Sequence, residues 1–435
     1  MDALSSVNAM TRYALLATLI LAAGCDNQPD SEAPPVEDTA GPEAEQPDGV
    51  FWREYNDQRL GAALAVGPGA VLVISGPSRG SESWEDTEEP RIFLLHTTTG
   101  ELRDDAFATI KGGWTHDSGK YYVSSRIGTE VVLPGDVTGD DEPDVLLFTD
   151  DRDGDLEEPA YLFPGPLLGN VYIQDAEVLP ISGPDGWNGT HCGDLDGNGV
   201  DELCLTSGVV FGPVGDSPEP TLTWSGSDAA ALGISAADLD ADGVNELIIT
   251  GSEASAVVRL SALEPGDVEL ESAAEATWTA PTGVFPTILA GDDLDGDGQG
   301  DIAVAWSDGT TTTVFLLTSP GGGTINEAAT TIRVPTTTMV VGDLDGDQAQ
   351  DLVVGGEGSV RVFMGPLQAG SFEPRDADTH LVGTEYPDDG FGDALVTIER
   401  DGDLPDLLIV GAPDTTEGNS HLTGGMVFMI SGDQL

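Results

Sequence analysis

Gly342-Asp343-Leu344-Asp345-Gly346-Asp347-Gln348-Ala349-Gln350-Asp351-Leu352-Val353-Val354-Gly355 sets Asp343, Asp345, Asp347 and Asp351 at the first, third, fifth and ninth places of one loop, and an aliphatic run follows at once. Four acids within nine residues repel one another unless a cation neutralises them, and an all-oxygen ligand set suits Ca²⁺. The pattern recurs upstream. Asp293, Asp295, Asp297 and Asp301 form one copy, Asp238, Asp240, Asp242 and Glu246 another, and Asp194, Asp196, Asn198 and Glu202 a third. Asp136, Thr138, Asp140 and Asp144 make a looser copy. Glu399, Asp401, Asp403 and Asp406 read as a contracted one that lacks a residue before its last acid. The expectation is five or six Ca²⁺ sites, the contracted loop being the weakest.

An EF-hand needs a Glu at the twelfth place and flanking helices. Here that place holds Leu147, Leu205, Ile249, Val304 and Val354 in the five full-length copies. These residues sit in short apolar runs that read as buried strands. The EF-hand reading fails.

From Phe51 to the end, turn signals and short apolar runs alternate without an amphipathic helix, and glycine reaches 57 residues. This is an all-β pattern. The first ligands stand at 136, 194, 238, 293, 343 and 399, spacings of 58, 44, 55, 50 and 56 residues. A period near fifty with several strands per unit predicts a β-propeller. Each unit reads as an aromatic-bearing opening strand (160–163, 314–317, 360–363), a second strand, then one strand into the acidic loop and one out of it. Six such units follow from Arg91. Residues 425–430 read as an opening strand with nothing after it, and 60–66 and 70–77 as closing strands with nothing before them. Joined, they predict a seventh blade shared by the two termini, which removes the free sheet edges.

Gly390-Phe391-Gly392 precedes Gly411-Ala412-Pro413 with an acidic loop between them, and this arrangement resembles an FG-GAP repeat. The other units resemble the same family or its integrin-α-like and VCBS-type relatives, over residues 60–435. The blade shared by the termini keeps Ser75-Gly76-Pro77 without an acidic loop. The resemblance implies a propeller with Ca²⁺ held in hairpin loops on one face by the loop positions quoted above. Asp141 and Gln348 replace the usual Gly at the sixth place, where a strained or altered turn is expected.

At the start of the chain, Arg12 precedes eleven apolar residues, 13–23, too few to span a bilayer but the length of a signal-peptide core. Leu21-Ala22-Ala23-Gly24-Cys25 resembles the lipobox of bacterial lipoproteins, which implies cleavage before Cys25 and a lipid on its sulfur. Met10 offers an alternative start with a shorter basic leader. Residues 26–49 are rich in Pro, Glu and Asp and read as a disordered, charge-extended tether. The expected organisation is a signal peptide over 1–24, a lipidated linker over 25–49 and a propeller over 50–435. Export to the cell envelope follows, with membrane attachment through the lipid alone.

The chain carries 78 acidic against 15 basic residues, a net charge of −63. Six bound Ca²⁺ would still leave about −51, so metal loops do not account for the acidity. A densely acidic surface adapted to salt does. Such a surface argues against nucleic acid or anionic lipid as partner. Cys192 and Cys204 bracket the loop at 194–202, two residues before its first ligand and two after its last, and an exported location permits a disulfide between them. Val341 and Val353 hold the equivalent places further along and are expected to face one another across the hairpin.

Gly76-Pro77-Ser78-Arg79-Gly80 fits the Gly-x-Ser-x-Gly pattern, but residues 81–90 make no persuasive helix after the serine. The histidines, His96, His116, His191, His380 and His421, show no metal-ligand spacing. The expectation is a non-catalytic, monomeric Ca²⁺ propeller at the cell surface that binds a protein or a glycan. The alternative is an enzyme of extracellular polymers, a hydrolase or lyase, working in the central channel. A ring of His, Arg and carboxylates around that channel would favour it.

Overall fold

Val71, Leu72, Val73 and Ile74 are each at most 9% exposed, although a strand offers alternate residues to opposite faces. Both faces are covered. Val71 and Val73 pack on one neighbouring sheet, Leu72 and Ile74 on the other. The same holds where Leu352 and Val354 face one way and Val353 the other. A sheet buried on both sides needs continuous apolar runs, and the residues that follow each acidic loop supply them.

This is a computed structural model. It describes residues 50–53, 59–67, 71–77, 91–96, 106–111, 114–117, 120–123, 127–149, 160–173, 177–179, 189–215, 221–225, 231–240, 242–251, 256–260, 263, 265–280, 284–291, 293–308, 311–318, 322–335, 338–383, 389–400, 404–415 and 424–435. The leader, Cys25, the tether, Ser78, His421, Asp401 and Asp403 lie outside the described residues.

Seven antiparallel sheets stand in a ring as a seven-bladed β-propeller. From the axis outward, blade 1 is Ala63–Gly67, Val71–Gly76, Arg91–His96 and Ala108–Lys111. Blade 2 is Ile127–Gly135, Asp144–Thr149, Ala160–Phe163 and Glu177–Leu179, and blade 3 is Gly189–His191, Leu203–Leu205, Gly208–Val210 and Leu222–Ser225. Blade 4 is Ala231–Ala237, Glu246–Gly251, Ala256–Leu260 and Ala276–Thr279. Blade 5 is Val284–Gly291, Asp301–Ser307, Thr312–Thr318 and Thr330–Arg333, and blade 6 is Thr338–Gly342, Asp351–Gly356, Ser359–Phe363 and Thr379–Val382. Blade 7 takes Ala394–Ile398, Leu407–Ala412 and Met426–Ile430 from the end of the chain and Val50–Arg53 from its beginning. Two further strands, Trp114–Asp117 and Lys120–Val123, form a separate hairpin. The one α-helix among the described residues is Leu270–Ala273.

The termini do share a blade, but through other strands than the sequence suggested. Met426–Ile430 pairs with Leu407–Ala412 and with Val50–Arg53. Strands 63–67 and 71–76 instead open blade 1, because Val71–Gly76 pairs in register with Arg91–His96. Each acidic loop joins the first and second strands of one blade. The unit framed from an aromatic strand to the next acidic loop is therefore half of one blade and half of its successor.

Each innermost strand adjoins those of its two neighbours, and Ala394–Ile398 meets Ala63–Gly67 to complete the circle. The apolar core is divided accordingly into seven clusters, one at each blade interface. Four of the interfaces gain a pairing between strands of the two blades as well. A short strand between the third and fourth strands of one blade runs parallel to the outer strand of the preceding blade, as Gly370–Phe372 does beside Thr330–Arg333. At the closing interface Arg59 forms an ion pair with Asp414 at 3.1 Å.

The two glycine motifs of the closing blades are also explained by packing. Gly392 donates its N–H to the Gly411 carbonyl at 3.0 Å, Phe391 is fully buried, and a Cβ on Gly411 would stand 2.1 Å from the Gly61 carbonyl oxygen. Gly411→Ala should cost about 1–3 kcal/mol through overpacking at this interface. Gly291→Ala, where a Cβ would meet nothing within 4 Å, should leave the melting temperature nearly unchanged. Equal thermal shifts for the two variants would contradict the close approach.

Candidate metal centre

The acidic loops build themselves from carboxylate-to-amide hydrogen bonds. In blade 5 the Asp293 carboxylate accepts from the amides of Gly296, Asp297 and Gly298 at 2.7, 2.9 and 2.7 Å. Asp295 accepts from the Asp297 amide at 3.0 Å, and Asp297 from the Gln299 amide at 2.9 Å. Asp301, at the head of the second strand, reaches back to the amides of Leu294 and Asp295 at 3.0 and 3.1 Å. These bonds fold nine residues into a loop with its carboxylates turned inward. The first-place residues Asp136, Asp194, Asp238 and Asp343 accept from the same part of their loops. Asp140, Asn198, Asp242 and Asp347 each accept the amide two residues on. Asp144, Glu202, Glu246 and Asp351 each accept the second-place amide.

The sixth place requires a left-handed backbone. Gly199, Gly243 and Gly298 take φ of 87°, 90° and 88°, and Asp141 and Gln348 adopt the same geometry at 68° and 72°. The turn is unaltered at the two substituted loops, which carry the roughly 1–2 kcal/mol cost of a side chain in this region.

Four loops bring a trio of carboxylate oxygens within 4.8 Å of one another: Asp194, Asp196 and Glu202; Asp238, Asp240 and Glu246; Asp293, Asp295 and Asp297; and Asp343, Asp345 and Asp347. Oxygens on opposite sides of a Ca²⁺ at about 2.4 Å are separated by at most about 4.8 Å, so these clusters fit such an ion. Asp301 supplies a second observation. It is 2% exposed, and its Oδ1 has no hydrogen-bond partner. Glu202 is fully buried as well, and the Leu195 and Gly212 amides favour its charged form. A buried carboxylate oxygen without a partner carries the full cost of desolvation, which a cation would offset.

The remaining loops differ. In blade 2, Asp144 Oδ1 is taken by the Gly165 amide at 2.9 Å and the Thr138 hydroxyl at 3.3 Å, so the ninth-place acid is satisfied within the protein. In blade 6 the Gly365 amide holds Asp351 Oδ1 at 2.8 Å, leaving the trio of Asp343, Asp345 and Asp347 as the cluster. In blade 4 a cation is already present. The Arg259 guanidinium, from the third strand, lies 3.3 Å from both Asp240 Oδ2 and Glu246 Oε1. The sequence reading missed Arg259, whose signal was a charge inside the apolar run 256–260.

Blade 7 corrects the expected contraction. Ile398 pairs with Leu407, the ninth residue counted from Glu399, just as Gly342 pairs with Asp351. The hairpin is full length, and its last acid stands at the eighth place. There Asp406 accepts the Arg400 amide at 3.2 Å and also bridges to blade 6, accepting the Asp343 amide at 3.0 Å and donating its own N–H to the Asp343 carbonyl at 2.7 Å. Asp201, at the eighth place of blade 3, makes the matching pair with Asp136 of blade 2 at 2.9 and 3.0 Å. A Cβ on Gly135 would stand 1.9 Å from the Asp201 carboxylate, which explains the glycine before that loop.

Cys192 and Cys204 form a disulfide with Cα atoms 6.1 Å apart. The comparison with blade 6 does not carry over. Val340, not Val341, faces Val353, and Val341 and Val353 pack in different interface clusters. The bridge forms because the first strand of blade 3 stops at His191, which frees Cys192 to join Cys204 in one cluster.

The matched family now has its geometry. Residues 293–354 match the FG-GAP-like repeat. The repeat runs from the acidic loop of blade 5 through that of blade 6 and ends in the second strand of blade 6. No curated protein matches the chain. Among solved structures, the crystal structure of BBS1N in complex with ARL6DN, soaked with mercury, is 10% identical with a TM-score of 0.46 and covers 87% of this chain and 95% of that one. The same complex soaked with lead is 12% identical with a TM-score of 0.34 and covers 68% and 91%. At these scores the likeness carries no argument.

Burial pushes the ninth-place carboxyls up: Asp301 and Glu202 to about 7, Asp144 and Asp351 to about 6. Glu130, on the innermost strand of blade 2, is pushed up to about 8 by the same cause, against a bond from the Gly189 amide. Between their ordinary values and these raised ones, the metal-free folded chain holds protons that the unfolded chain has released. In chelator, stability should therefore fall as pH rises from about 5 to about 8. Glu130→Gln should flatten part of that slope, which general surface repulsion would not; melting curves across pH in both proteins check it.

Proposed function

We propose that this chain is a non-catalytic, Ca²⁺-binding propeller of the cell envelope that recognises a protein or a glycan. The observation that carries the metal assignment is the bare, buried Oδ1 of Asp301 beside the trio of Asp293, Asp295 and Asp297. Oxygen-only ligands, several carboxylates and a flexible loop favour Ca²⁺ over the smaller, octahedral Mg²⁺. The bound ion supplies positive charge that holds the hairpin closed. Asp194, Asp196 and Glu202 hold it in blade 3, the Asp293 loop in blade 5 and the Asp343 loop in blade 6. The lattice of amide bonds around each cluster gives the loops a structural role, which leaves recognition to other surfaces of the ring.

The innermost strands support a binding role over catalysis. Their described residues include just two ionisable side chains, Glu130 and His191. The remainder are small, apolar or hydroxylated, so the ring of His, Arg and carboxylates that the polymer-cleaving alternative requires is not offered by these strands. Acidic charge over the whole chain favours neutral or basic partners.

Ca²⁺ should raise the melting temperature markedly and chelator lower it, because the ion binds the folded loop far better than the open chain. Mg²⁺ should rescue poorly. Asp295→Ala or Asp345→Ala should cost more than Asp401→Ala, since the blade 7 loop has Leu407 at its ninth place. A melting curve indifferent to chelator in low-salt buffer would remove the metal from this reading.

Envelope anchoring is part of the same proposal and rests on Leu21-Ala22-Ala23-Gly24-Cys25. The exported protein should carry an acyl mass on Cys25, and Cys25→Ser should shift it to the soluble fraction. An exported chain without that mass has no lipid anchor.

A further inference from the structure

Arg259 is 4% exposed, a degree of burial that arginine reaches only when paired. It stands opposite Ile248, the eleventh residue counted from Asp238. In the other five acidic blades the residue opposite the eleventh place is Leu162, Val209, Leu316, Val362 or Met429. An apolar core position has thus become a cation in blade 4 alone. Its side chain runs beneath the hairpin and brings Nη2 to 3.3 Å from Asp240 Oδ2 and from Glu246 Oε1.

The two oxygens it meets decide what it does. Glu246 Oε1 belongs to the ninth-place carboxylate, whose counterpart in blade 5, Asp301, has a bare Oδ1. Asp240 occupies the third place, a ligand position. The guanidinium therefore sits on the side of the cluster where a metal would gather its ligands, and it draws on the same lone pairs. A divalent cation held by Asp240 and Glu246 would face a fixed positive charge within contact distance. A buried guanidinium cannot relieve that repulsion by losing its proton.

We propose that Arg259 is a tethered cation that replaces metal in blade 4, so that this loop closes without Ca²⁺ while its neighbours in blades 3, 5 and 6 require it. The inference rests on the reading of those neighbours as Ca²⁺ sites. It places a hairpin whose closure is independent of calcium concentration between two, in blades 3 and 5, whose closure is not.

Ca²⁺ bound per chain, measured on the full chain by equilibrium dialysis with elemental analysis, tests it. Arg259→Met, which installs the blade 7 residue type, should bind one ion more than wild type. Asp240→Asn should leave the wild-type number unchanged and should remove the added ion in the Arg259→Met background. A folded Arg259→Met with an unchanged number overturns the proposal. So does a loss of one ion in Asp240→Asn alone, a half-exposed substitution that decides the matter even if Arg259→Met does not fold. Wild type binding no Ca²⁺ overturns the calcium reading of the other loops and this inference with it. Wild type binding Ca²⁺ with either of the first two failures overturns this inference alone.

Discussion

At the head of the second strand in blades 2 to 6, a buried carboxylate reaches back across its loop to accept the amide of the loop's second residue. That bond fixes where the first strand ends and the second begins. It also draws an acid into a place where water cannot solvate it, so each loop needs a further donor or a cation. The five blades answer differently. Asp144 and Asp351 receive an amide from the turn after the third strand, at Gly165 and Gly365. Glu246 receives Arg259, the Gly212 amide favours the charged form of Glu202, and Asp301 keeps an oxygen without a hydrogen bond. One local requirement thus yields a graded set of sites along a single face.

The loops are not independent of the ring. Asp201 and Asp406 clasp the first residue of the preceding loop, and the Val214 and Leu367 amides donate to the carbonyls of Val137 and Leu294 in the preceding blade at 2.7 Å. Closing one hairpin therefore positions groups that brace the next interface. With the apolar core divided into seven separate clusters, no blade is supported from the centre. Each relies on its two neighbours, and the insertion of Val50–Arg53 beside Met426–Ile430 closes the circuit.

Much of this was legible in the chain itself. The acidic spacing excluded an EF-hand, the period gave a propeller, and unpaired strand signals at both ends gave seven blades with a shared one. The blade boundary was not legible, because runs buried on both faces look alike whichever partner they pair with; only register separates 71–76 from the terminal strand. Asp406 read as a ninth-place acid, since nothing in the sequence marks Leu407 as the residue opposite Ile398. Arg259 went unremarked because its target lies across the blade, not along the chain. The disulfide was expected from position, yet the strand ending that permits it at His191 carries no evident signal.

The segment that matches the FG-GAP-like repeat begins in one blade and ends in the next. What such a segment encodes is a junction: the outer three strands of one sheet, the inner two of its successor, and the contact between them. Copying or deleting one period of it, from one acidic loop to the next, would add or remove four strands and with them a complete mating surface. Rings of different size could then arise by duplication without any new surface having to be invented, and the offset closure by the first strand of the chain would serve them all.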